Sequence, residues 1–292
     1  MQPHMPYIKE FFDESTSTFS YIVYDKPHGT GAIIDPVLDY DYKSGTIQTV
    51  NADKLLEFVT KKKLTIEWIL ETHVHADHLS SAQYLKQKLN SNAKVAISKH
   101  IILLQKTFQK IFNLDFNTDG SDFDYLFEEN EIFSIGSLSA QALFVPGHTP
   151  IDTAYKAENA LFVGDSIFMP DVGTARCDFP HGNAEDLYNS IQKILSMPDD
   201  IILYMCHDYP HNRAVKYQSN IHEQKLYNIH VKDNITKEQF VSMRQTRDAS
   251  LEMPALIYPS IQVNMRAGKF PQPEENSKMY LKIPLNLKFD KS

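Results

Sequence analysis

Residues 72–78 read T-H-V-H-A-D-H, which places three histidines and an aspartate within six positions directly after the apolar run 64–70. Imidazoles and carboxylates hold divalent transition metals, and so many at one turn would be poorly satisfied in an ordinary core. A strand over 64–70 followed by a helix over 79–89 lets His73, His75, Asp77 and His78 converge on one point instead of spreading around a helix axis. A polar loop that happens to be histidine-rich is the bland alternative, and the density of the motif weighs against it. The chain is expected to bind metal.

Further candidates follow at widening intervals. Pro146-Gly147-His148-Thr149-Pro150 comes after the apolar run 143–145, so His148 sits in a tight turn past a strand end. The run 161–164 ends in Asp165, and the run 201–206 ends in His207. Each alone is weak, because a single histidine after a strand is more often a surface or hydrogen-bonded core residue. Four strand ends presenting such residues in one α/β-patterned chain are strong, since ligand sites gather where loops meet over a rigid sheet.

Composition agrees with a globular enzyme. The length of 292 residues can bury a large core in one domain, and the net charge of −8, without long Lys/Arg clusters, argues against nucleic acid. No stretch of about 18 apolar residues marks a membrane helix. The first six residues lack the basic and apolar regions of a secretory signal, and the two cysteines, Cys177 and Cys206, make no disulfide framework. The expected compartment is the cytosol, with no membrane partner; a homodimer is left open.

Paired strands are expected over 19–23 and 31–35, and Asn51 is expected to cap a helix running to about Lys62. Strands are expected at 94–98, 138–145, 153–157 and 161–163, and helices at 101–112 and 183–197, the latter capped by Asn183. The polar stretch 113–130 reads as a surface excursion or small-helix insertion. Residues 1–230 are taken as the catalytic domain and 231–292 as a C-terminal extension packed on it.

In order, T-H-x-H-x-D-H, G-H-T-P, G-D and a late strand-end His resemble the metallo-β-lactamase superfamily. The likeness spans residues 7–266 and includes Ile33-Ile34-Asp35-Pro36, which matches the family's I-D-P element. It implies an α/β (α+β) fold, a four-layer αββα sandwich with the metal site along one edge. Within the superfamily, Gly164-Asp165-Ser166-Ile167-Phe168, Arg176-Cys177-Asp178-Phe179, Cys206-His207-Asp208-Tyr209 and Asn264-Met265-Arg266-Ala267-Gly268 resemble stretches of the persulfide (sulfur) dioxygenases. Two extra residues between Asp165 and Arg176, and Cys177 in place of a threonine, look more like the β-lactamase hydrolase-like branch.

The dioxygenase resemblance implies one Fe(II) per chain held by His73, His148 and Asp165, with His75, Asp77, His78 and His207 around it. The implied reaction oxidises glutathione persulfide with O2 to sulfite and glutathione. Arg176, Arg266 and Tyr209 are the candidate substrate contacts, and Asp77, His207, Arg176 and Tyr209 the candidate catalytic groups. All seven metal-site residues are ligands in dizinc relatives, so the runner-up is a two-zinc hydrolase similar to glyoxalase II, acting on a glutathione thioester.

Overall fold

This computed structural model describes residues 5–89 and 92–287. The first half runs β1 (Tyr7–Asp13), β2 (Thr18–Tyr24), β3 (Thr30–Ile34), β4 (Val37–Asp41), β5 (Thr46–Gln48), α1 (Val50–Lys62), β6 (Thr65–Leu70) and β7 (Leu79–Ser80). It continues through α2 (Ala82–Leu89), β8 (Lys94–Ser98), α3 (Ile101–Phe112) and β9 (Tyr125–Phe127). The second half runs β10 (Ile132–Ile135), β11 (Leu138–Phe144), β12 (Thr153–Ala157), β13 (Ala160–Phe162), α4 (Ala184–Leu195), β14 (Ile202–Tyr204) and β15 (Gln218–Asn220). Helices α5 (Ile221–Tyr227), α6 (Lys237–Asp248) and α7 (Ile257–Asn264) follow.

Strand periodicity decides the layering. Along β2, Tyr21 and Val23 face one core and Ile22 another; along β11, Ala142 and Phe144 face inward while Leu143 faces out. One six-stranded sheet, β1-β2-β3-β6-β8-β9, therefore stacks on a second, β10-β11-β12-β13-β14-β15. Phe19, Tyr21, Phe127, Tyr155 and Phe162 fill the space between them. The outer face of the first sheet is covered by α1, α2, α3 and α7 through residues such as Leu55, Leu85, Phe108 and Ile261. The outer face of the second is covered by α4, α5 and α6 through Ile191, Ile221 and Phe240. The result is the expected αββα sandwich. No helix among the described residues is long and apolar enough to cross a membrane.

Strand direction gathers the loops. β11 and β13 both run antiparallel to β12, and β13 is parallel to β14, so the C-terminal ends of β11, β13 and β14 open on one edge. The end of β6 meets the same edge, where the Thr153 amide at the start of β12 donates to the Thr72 carbonyl at 2.9 Å. The Phe19 amide at the start of β2 donates to the Cys206 carbonyl at 2.7 Å, which joins the two sheets there.

Several local expectations need correction. The N-cap of α1 is Thr49, not Asn51; the Asn51 side chain instead donates to Asp13 and Asp39, at 3.1 and 2.7 Å. Leu79 and Ser80 are not helical, because they pair with β4 before α2 begins at Ala82. The stretch 113–130 contains no helix; it contributes β9, whose Phe127 is buried between the sheets. Residues 1–4, read above for a leader, and 288–292 of the extension lie outside the described residues.

Asn183 does cap its helix, accepting from the Glu185 and Asp186 amides at 2.8 and 3.1 Å. Asn183→Ala should lower stability by about 1 kcal/mol in urea denaturation. Thr49→Ala, where no side-chain cap bond exists, should stay within roughly 0.5 kcal/mol of the parent.

Candidate metal centre

The turn after β6 is set by a buried carboxylate. Asp35, just past β3, accepts from the Thr72 amide at 2.7 Å and the Thr72 hydroxyl at 2.9 Å, and pairs with His75 Nε2 at 3.0 Å. With its hydrogen given to Asp35, the Thr72 oxygen accepts from His73 Nδ1 at 3.0 Å, which leaves the lone pair on His73 Nε2. The same device recurs around the site. His148 Nδ1 donates to the Arg176 carbonyl at 2.7 Å, His78 Nδ1 to the Leu79 carbonyl at 3.2 Å, and His207 Nδ1 to the Ser17 carbonyl at 3.2 Å. His75 is turned the other way, so its free nitrogen is Nδ1.

Those free atoms face one another. One ligand atom from each of His73, His148 and Asp165 lies within 4.8 Å of the others, and the same holds for His75, Asp77 and His78. His207 Nε2 is 3.4 Å from both Asp77 and Asp165. All seven sequence-derived ligand candidates are thus brought to one place. His73 Nε2, His75 Nδ1, His78 Nε2 and Asp165 Oδ1 are buried without a hydrogen-bond partner among the described residues. Buried polar atoms are rarely left so, and four converging on one volume fit a divalent cation. Burial, together with neighbouring imidazoles, holds His73 well below the usual histidine range and His78 at about 4, so both stay neutral, as ligation requires. Burial also disfavours charge on His75, but Asp35 and Glu71 beside it outweigh that and raise it to about 9.

Two close backbone approaches position the turns. Gly147 has φ +152°, and a Cβ there would lie 2.3 Å from the Leu187 Cα of α4. Gly164, before Asp165, has φ +54° and would meet Thr72 at 2.9 Å.

The substrate-side candidates separate. Tyr209 lines a pocket of about 310 Å³ beside His148, Asp165 and His207, with its ring stacked on His207 at 5.7 Å. The residue is 44% exposed, yet desolvation of the phenol and the negative charges of Asp77 and Asp165 push its pKa upward. Arg176 lines the same pocket, but its guanidinium is held bidentately by Asp178 at 2.6 and 2.7 Å. Arg266 is not brought to the site: it pairs with Asp122 at 3.3 Å and lies over the Phe116 ring at 5.3 Å. Cys177 is buried, and its thiol is pushed up by desolvation and by Asp248.

Sequence reasoning passed over two residues here. Asn264, first of the N-M-R-A-G stretch, donates to the His75 and His78 carbonyls at 2.9 and 2.7 Å and accepts from the Ser80 amide at 2.8 Å. The signal lies in the motif itself, whose asparagine, not its arginine, reaches the ligand turn. Cys206 is the other: with His75 and His207 it forms a further candidate ligand group. Burial raises its thiol pKa as well.

A family model for the metallo-beta-lactamase superfamily matches residues 15–207. The chain is 50% identical to Glyoxylase B2 of Dictyostelium discoideum, over 96% of this chain and 97% of that one. It is 51% identical to a beta-lactamase hydrolase-like protein of Agrobacterium fabrum, over 97% of this chain but 65% of that longer one. Human mitochondrial persulfide dioxygenase ETHE1 is 25% identical over 89% of this chain and 88% of its own. The crystal structure of ETHE1 from Myxococcus xanthus superposes with a TM-score of 0.71 at 26% identity, covering 90% of this chain and all of that one (100%). The chain belongs to the metallo-β-lactamase superfamily.

Asn264→Leu keeps the shape but strands two carbonyls and one amide, each costing roughly 1–3 kcal/mol when buried. Thermal melts should show a large loss of stability and metal analysis a fall in content, although Asn264 touches no ligand atom. Cys177 should resist thiol reagents in the native protein and react after unfolding; rapid native labelling would contradict the buried, protonated thiol described above.

Proposed function

We propose that this protein is an iron-dependent persulfide dioxygenase that converts glutathione persulfide, O2 and water to glutathione, sulfite and two protons. The observation that carries this reading is the set of His73 Nε2, His148 Nε2 and the Asp165 carboxylate, two imidazoles and one carboxylate gathered beside an open pocket. Such a set suits ferrous iron, which supplies the redox chemistry that lets dioxygen react with a sulfur nucleophile. The Arg176-Cys177-Asp178-Phe179 and N-M-R-A-G stretches support the same branch, since both are wired into the site. The first lends its Arg176 carbonyl to His148, and the second clamps the His75–His78 turn through Asn264.

The chain's own groups have definable tasks. Asp165 supplies the negative charge that offsets a divalent cation among neutral imidazoles. Tyr209, with a raised pKa, keeps its proton and can donate a hydrogen bond into the pocket. His207, placed between Asp77 and Asp165, is favoured in its charged form by both, against the effect of burial. It can hold a proton for the departing thiolate.

A second reading has its own support. His75 Nδ1 and His78 Nε2 are also buried without hydrogen-bond partners among the described residues. This fits a second cation that His75, Asp77 and His78 would hold and that would supply an activated water to a hydrolase of glutathione thioesters. The 50% identity to Glyoxylase B2 favours the same direction.

Metal count and product separate the two. Reconstituted without air, the chain should hold one iron, consume O2 with glutathione persulfide and yield sulfite, while turning over S-lactoylglutathione poorly. Rapid thioester hydrolysis with two zincs and no oxygen uptake would reverse the ranking. Asp165→Asn should lose both metal and turnover in either case.

A further inference from the structure

We infer that Arg247 anchors an anionic group of the substrate, so that the site selects sulfur compounds carrying a carboxylate away from the reacting sulfur. The inference deepens the persulfide reading and relies on it only for the identity of that sulfur.

The chain contains five arginines, at 176, 213, 244, 247 and 266. Four are neutralised by carboxylates. Arg176 pairs with Asp178 at 2.6 Å, and Arg213 with Asp171 at 2.7 Å and Asp208 at 2.6 Å. Arg244 is bound to Asp248, with Nε at 3.2 Å from Oδ1, and Arg266 to Asp122 at 3.3 Å. Arg247 is the exception: among the described residues its guanidinium has no hydrogen bond or ion pair. It lies three residues beyond Arg244 on α6, hence on the same helix face, and both line the pocket that holds His148, Asp165 and Tyr209.

An unpaired surface arginine is ordinary; one at the mouth of a metal pocket is not. The pocket's carboxylates, Asp77 and Asp165, are turned toward the histidine cluster, which leaves Arg247 as its uncompensated charge. A chain of net charge −8 repels anions at long range, so an anionic substrate needs a local cation to dock. The guanidinium fork suits a carboxylate, which it can bind with two parallel hydrogen bonds. Beside this pocket lies a second cavity of about 380 Å³ walled by Phe179, Met253, Pro254 and Ile257 and sharing His148 and Arg176 with the first. It offers apolar surface for the stem between sulfur and carboxylate.

The helix end offers a purely structural alternative, because a cation in the last turn of α6 interacts favourably with the terminal carbonyls. Calorimetry on the metal-loaded chain distinguishes the two. The probes are glutathione and its diethyl ester, in which both carboxylates are capped. The wild type should bind glutathione about tenfold more tightly than the ester, as one charge-assisted hydrogen bond at a solvent-exposed position implies. Arg247→Ala should abolish that preference without changing metal content, and Arg247→Lys should restore part of it. A wild type with no preference, or an Arg247→Ala protein that keeps it, overturns the anchor. So does a variant that only melts lower, since that is the signature of the helix-end role. If persulfide fails to drive oxygen uptake while the Arg247-dependent preference remains, the proposed reaction falls and the anchor stands.

Discussion

Crowding five imidazoles around one point is unfavourable unless each is aimed and the charge on any of them is matched by a carboxylate. Asp35 and Glu71 do this beside His75, and Asp77 and Asp165 beside His207. His73 and His75 have ring centroids 4.0 Å apart, and His75 and His78 are 4.2 Å apart. Two protonated rings at such distances, away from water, would repel strongly. Each ring therefore has one nitrogen tied to an acceptor fixed by the scaffold and turns the other toward the centre. The sheets, the tight glycine turns and the α7 clamp all follow from the need to hold those acceptors still. A cation that satisfies the remaining lone pairs then contributes directly to folding stability, because the unfolded chain has no comparable site.

The elements after β15 complete the site and do not merely cover it. Helix α7 packs Ile257 and Ile261 into the first core and carries Asn264 to the ligand turn. The segment joining α6 to α7 walls both cavities through Leu251 and Pro254. The wall of both cavities and the clamp on the ligand turn are thus supplied by one continuous stretch of chain, while the candidate ligands come from the strand ends.

The strand ends were legible because an apolar run that stops at a His or Asp carries both signals at once, burial and chemistry. That logic located His73, His148, Asp165 and His207, together with the positions of most of the sheets' central strands. Pairings across long sequence distance were not legible. Nothing local in Asn51 says that its amide turns to Asp13 and Asp39 rather than to the helix end. The two-residue strand Leu79–Ser80 is too short to show a period, and β9 hides in a polar stretch because Phe127 is its one fully buried residue. Arg266 and Arg247 look equivalent as letters. Only the position of Asp122 against the one, and the lack of any such partner for the other among the described residues, separates a tethered charge from an available one.

The Asn264 clamp also has a consequence in time. Its partners His75 and His78 lie 189 and 186 residues earlier in the chain. At about 5–20 residues per second, a ribosome completes the ligand turn roughly 10–40 s before it makes the amide that fixes that turn. Through that interval the histidines of the turn are synthesised but unclamped, open to any passing metal ion. The hydrogen bonds that fix the turn arrive last, so the candidate ligands take their final arrangement only near the end of synthesis or after it.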